Sequence, residues 1–82
     1  MINLEIVSPI SSFSETIIWV ECDTSIGNIV IKENHTPVIF SVLDGSSIIY
    51  GLPNGKIKNL SVKNCLINFK DNHLTIITDE LK

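Results

Sequence analysis

Short apolar runs rich in β-branched residues recur along the whole chain, each cut off by turn residues after a few positions, and this pattern limits the fold more than anything else. Ile2, Leu4 and Ile6 alternate with Asn3, Glu5 and Val7, the period of a half-buried strand that Ser8-Pro9 ends. Phe13 to Cys22 reads as one longer strand, with Thr16, Ile18, Val20 and Cys22 toward a core and Glu15, Ile17, Trp19 and Glu21 toward solvent. After the turn residues Asp23-Thr24-Ser25 come two apolar runs, Ile29 to Ile31 and Val38 to Phe40, flanking a polar segment. Asn34 tolerates turn conformations there, and Pro37 fixes its own φ and biases Thr36 toward extended backbone, so a shaped loop is expected. Asp44-Gly45 signals a hairpin, and Ser46 to Gly51 is a short strand that Leu52-Pro53-Asn54-Gly55 turns. In Lys56 to Lys63, Ile57 is out of phase with Leu60 and Val62, which predicts a bulge or a partly exposed edge. Leu66 to Phe69, the turn Asp71-Asn72-His73, a last strand Leu74 to Thr78 and a polar tail at 79–82 complete the chain. No segment sustains a helical period. The expectation is one all-β domain over residues 1–82, a small antiparallel β-sandwich or flattened barrel.

Charge and length narrow the function. The 82 residues carry a net charge of -3 and no arginine, so the basic patch and guanidinium forks that hold nucleic acid are missing. No apolar run reaches the roughly 20 residues that span a bilayer, and Met1-Ile2-Asn3-Leu4-Glu5 lacks the basic head and apolar core of a signal peptide. The sequence reads as soluble and cytoplasmic. Edge strands in so apolar a chain are adhesive unless covered, which makes a permanent partner physically reasonable.

Residues that could carry chemistry read as structural. Cys22 and Cys65 lack the local spacing of a redox or zinc motif and read as buried small hydrophobes. His35 has no serine, cysteine or carboxylate spaced to make it a catalytic base, and a hydrogen bond from its ring to a loop carbonyl is the expected role. His73 reads as a solvated turn residue. A zinc site drawing on His35, His73, Cys22 and Cys65 would take every ligand from a different part of the chain. Glu15 and Glu21 read as solubilising flanks, and Gly45, Gly51 and Gly55 lie between strands, where they cannot cradle phosphate at a helix start. No catalytic residue, cofactor site or metal site is expected. Trp19 with Ile17 is the one hint of binding within the residues, either as an interface centre or as a strand buried on both sides.

Several blocks together carry a resemblance: Leu4-Glu5-Ile6-Val7-Ser8-Pro9, Thr24-Ser25-Ile26-Gly27-Asn28-Ile29, Asn34-His35-Thr36-Pro37-Val38-Ile39, Leu43-Asp44-Gly45 and Leu74-Thr75-Ile76-Ile77-Thr78-Asp79. In this order and spacing the chain resembles the N-terminal β-sandwich domain of the epsilon subunit of F-type ATP synthases, the asparagine-histidine-threonine-proline block being the most specific part. The resemblance implies a non-catalytic rotor subunit in the central stalk, peripheral on the cytoplasmic face of the inner or plasma membrane as in bacteria. It would bind the gamma subunit and the polar loops of the c-ring, with no cofactor and no small-molecule substrate.

Position by position, the resemblance implies that Ser8, His35 and Phe40 face gamma and that Asn28 faces the c-ring, with Ile17 and Trp19 as a possible additional interface. Asn28 stands where many members carry a glutamate, which replaces a charge-assisted contact with a weaker amide bond. Val30 and Asn64-Cys65 stand where glycines are usual, and Lys32-Glu33 where a leucine-proline pair is. The helical hairpin that follows in many members, and that restrains hydrolysis and binds ATP, has no counterpart in residues 1–82. Two other classes remain open: a free-standing sandwich that stacks a sugar or peptide on Trp19 or Tyr50, and an enzyme built on His35.

Overall fold

The computed structural model describes residues 1–81 and is built of strands: β1 (Ile2–Ser8), β2 (Ser11–Ile17), β3 (Trp19–Thr24), β4 (Gly27–Lys32), β5 (Val38–Val42), β6 (Ser47–Gly51), β7 (Ile57–Lys63), β8 (Cys65–Lys70), β9 (His73–Ile77) and β10 (Glu80–Leu81). Hydrogen bonding runs β10-β7-β6-β3-β5-β8-β9-β1-β2, with β4 on the other edge of β3. The sheet curls at the pairing of Thr24 with Val42, so that β2-β1-β9-β8-β5 faces β4-β3-β6-β7-β10. Where the two ends meet, the Tyr50 hydroxyl on β6 donates to Glu15 Oε2 on β2 at 3.3 Å and Lys58 Nζ on β7 lies 3.4 Å from Glu15 Oε1.

This is the expected sandwich with one difference: β1 and β9 pair in parallel, Leu4 opposite Leu74 and Ile6 opposite Ile76. Every other pairing is antiparallel. Parallel neighbours need a long crossover, and here most of the chain intervenes between the two strands, which no local pattern announces. Ile2, Leu4, Ile6, Val20, Cys22, Ile48, Tyr50, Ile67, Phe69, Leu74 and Ile76 fill the core. Both cysteines are buried and free.

The long strand expected from Phe13 to Cys22 is instead two strands, β2 and β3, and the inward-facing parity changes between them. Ile17 is buried and ends β2; Ile18 is 40% exposed and its N–H donates to Gly51 O at 2.9 Å; Val20 and Cys22 are buried on β3. Here the chain leaves one layer for the other, and a crossing strand must shift its inward side by one residue. Thr16, expected inside, is exposed. Ile17 is therefore corrected from a possible interface residue to a core residue with 0% exposure.

β7 follows the exposed-edge expectation, since its register with β6 is regular and only the two residues of β10 pair with its far side. Ile57, 64% exposed, faces outward opposite Gly51. His73, expected in a turn, opens β9. Of the polar tail, Glu80 and Leu81 form β10, and Lys82 lies outside the described residues.

Candidate functional site

The loop from Glu33 to Pro37 is held to the facing turn by two asparagines in left-handed backbone, Asn34 (φ 65) and Asn72 (φ 59). Asn34 N–H donates to Asn72 Oδ1 at 2.6 Å, and Asn72 Nδ2 donates back to Asn34 Oδ1 at 3.0 Å. Asn3 N–H donates to Asn72 O at 2.9 Å, which ties in the start of β1. Asparagine suits both demands, a tolerated positive φ and a side chain that donates and accepts.

His35 sits on this loop, half-buried. Its Nδ1 lies 2.6 Å from Thr36 O, and a carbonyl only accepts, so the proton is on Nδ1. The ring meets Phe69 edge-on, with centroids 6.0 Å apart at 86°. The groove beside it is lined by Asn34, Pro37, Asp71 and Asn72 and is open and shallow. These contacts fix a loop; they do not set up a base beside a nucleophile. Among the described residues no three His, Cys, Asp or Glu side chains converge to hold a metal ion.

The other residues singled out from the sequence do not converge on His35. Successive registers place Thr24, Val42, Cys65, Ile77 and Val7 at one end of the sandwich, and Lys32, Val38, Phe69, His73 and Asn3 at the other. Ser8 and Asn28 belong to the first end and His35 to the second, while Phe40 lies midway along β5, half-buried and packed on the core. Ser8 Oγ lies 3.1 Å from Ser11 O and 3.2 Å from Ser11 Oγ, closing the first hairpin. Asn28 is exposed, and its Nδ2 donates to Asp23 Oδ1 at 3.0 Å and Glu21 Oε2 at 3.2 Å. Two carboxylates on the neighbouring strand are thus held by the Asn28 amide. No signal within the 27–40 stretch announces this, because the pairing is across β3 and β4.

Trp19 lies on the outer face of β3, half-exposed, directly opposite Gly51 on β6. A Cβ on Gly51 would fall within 3.0 Å of the indole Nε1, Cε2 and Cδ1. The indole is therefore seated on the glycine backbone of the neighbouring strand. Tyr50 is 1% exposed, so it is corrected from a stacking surface to a core residue. Asn64 has φ 51, the left-handed region that asparagine tolerates, and turns the chain between β7 and β8. Val30 pairs regularly with Glu21.

Comparison with known proteins gives the same picture. No curated protein matches the sequence. In the cryo-EM structure of Euglena gracilis mitochondrial ATP synthase, OSCP/F1/c-ring in rotational state 1, one chain is similar with a TM-score of 0.90 at 15% identity, over 99% of this chain and 52% of that one. In the central stalk/c-ring of Tetrahymena thermophila mitochondrial ATP synthase the TM-score is 0.83 at 11% identity, over 99% of this chain and 65% of that one. At such identities these likenesses show the fold, and the chain spans between half and two thirds of the length of those relatives. The family model described as ATP synthase, Delta/Epsilon chain, beta-sandwich domain matches residues 1–82. By that match along its whole length, the chain belongs to the ATP synthase delta/epsilon chain family and supplies its β-sandwich domain.

Proposed function

We propose that the protein is a non-catalytic rotor component of the central stalk of an F-type ATP synthase, coupling rotation of the c-ring to ATP synthesis by holding gamma and ring together. The observation that carries this reading is the family match over residues 1–82. The structural relatives belong to central-stalk and c-ring assemblies of mitochondrial ATP synthases, which supports a peripheral position in such a complex and gives no support to a bacterial setting. No helix of the described residues is long and apolar enough to cross a membrane. A coupler needs stiffness, and a curled sheet with the Asn34–Asn72 and Glu15–Tyr50 links across its layers supplies it. In this reading Asn28, with Glu21 and Asp23, faces the ring, and Ser8, His35 and Phe40 lie along the gamma side. Two interfaces of about 800 Å² each would cover roughly a third of the 4862 Å² surface.

Affinity capture from native membranes, followed by mass identification, tests the reading: gamma, c-ring subunits and the catalytic head should co-purify. Glycan or peptide binding without any of these would replace it with the binding-module reading. The sandwich itself is proposed to bind no ATP, and calorimetric detection of micromolar ATP binding would contradict that.

A further inference from the structure

The turn from β6 to β7 carries a residue pair with chemistry of its own. Of the eight asparagines in the chain, only Asn54 precedes a residue with no side chain, Gly55, and both are exposed. Asn54 Oδ1 accepts from Lys56 N–H at 2.9 Å, which folds the side-chain amide forward over the Gly55 peptide. A Cβ at position 55 would meet nothing within 4 Å, so no other part of the chain shields that approach.

One contact holds the pair apart chemically. Gly55 N–H donates to Leu52 O at 3.0 Å, closing a turn whose φ Pro53 pre-sets. Around it, Leu52 N–H donates to Lys56 O at 2.8 Å. While its proton is kept in that bond the Gly55 nitrogen is no nucleophile, and it becomes one when the turn opens. Exposed turns open locally at far smaller cost than the core.

We propose that Asn54 is a site of spontaneous covalent modification, gated by opening of the 52–56 turn and not by unfolding of the sandwich. Hydroxide removes the Gly55 amide proton, and the nitrogen bonds to Asn54 Cγ. The Cγ–Nδ2 bond then breaks, the leaving nitrogen taking a proton from water to depart as ammonia, which restores the hydroxide. Water opens the five-membered imide at either carbonyl, giving aspartate or isoaspartate. Either product places a carboxylate in the turn that holds Lys56. Isoaspartate also adds one carbon to the main chain, straining the Gly51–Ile57 pairing on which the Trp19 indole rests. The proposal stands independently of the rotor reading.

The full chain, incubated at mildly alkaline pH, is followed by intact mass and by peptide mapping that separates aspartate from isoaspartate. Acid should appear at position 54 before any other asparagine, as both products, about tenfold more slowly than in urea because one turn hydrogen bond must open first. Pro53→Gly, which loosens the turn, should speed the conversion about two- to fivefold. Ile76→Val, which trims the core in the opposite layer and leaves the turn intact, should not change the rate. An unchanged rate in Pro53→Gly, or acceleration in Ile76→Val equal to that in Pro53→Gly, overturns the gate. A folded chain that stays unmodified while the urea-unfolded chain converts fully overturns the site. Aspartate without isoaspartate means direct hydrolysis with no imide and overturns the chemistry.

Discussion

At the scale of single residues, two positions are held by contacts that a sequence does not display. Gly51 has no positive φ to require glycine; what requires it is the Trp19 indole resting where a Cβ would be. Gly51→Ala should therefore destabilise the fold by about 1–3 kcal/mol through overpacking. In a Trp19→Ala background the same change should be nearly neutral, since alanine then fits and restricts the unfolded chain. Urea unfolding of the four members of this cycle checks the prediction, and equal costs in both backgrounds would refute it. Asn72 is constrained twice, by φ 59 and by its paired hydrogen bonds to Asn34. Asn72→Ala should cost about 2–3 kcal/mol, and Asn72→Gly about 1 kcal/mol less because glycine keeps the backbone conformation. Denaturation midpoints of the two variants separate the backbone from the side-chain contribution.

At the scale of elements, the change of parity at Ile18 decides which of two adjacent isoleucines matters. Ile17 is 0% exposed and Ile18 is 40% exposed. Ile17→Ser should cost about 3–5 kcal/mol, combining the lost apolar side chain with a buried hydroxyl, whereas Ile18→Ser should change stability by about 0.5 kcal/mol. The reverse order in thermal melts would mean that the strand runs unbroken from Phe13 to Cys22. Alternation had been enough for β1 and β8, where each strand stays within one layer: Ile2, Leu4 and Ile6 share the buried face as read, and so do Ile67 and Phe69. It failed where the chain changes layers, because period-2 counting assumes a constant side for the core.

At the scale of the molecule, the closed core makes stability sensitive to alkali. Burial, with smaller contributions from Cys65, Asp23 and Glu21, pushes Cys22 from 9.0 up to about 12, and burial pushes Cys65 from 9.0 to about 11. Burial and then the Glu15 carboxylate push Tyr50 from 10.0 up to about 12. The unfolded chain releases these protons first, so from about pH 9 it binds fewer protons than the folded chain, and stability falls as pH rises toward about 12. Urea midpoints should be level below pH 9 and decline above it, with a shallower decline in Cys22→Ala and Tyr50→Phe. By itself the sequence determined the all-β class, most strand positions and the loop holding His35, because these depend on local alternation and on the turn preferences of Asn, Pro and Gly. Only the tertiary structure decided the parallel pairing of β1 with β9, the seat of Trp19 on Gly51, the Asn34–Asn72 link and the hold of Asn28 on Glu21 and Asp23. Each joins residues on different strands or turns, and which strands become neighbours is settled by closing a common core around which the sheet must curl.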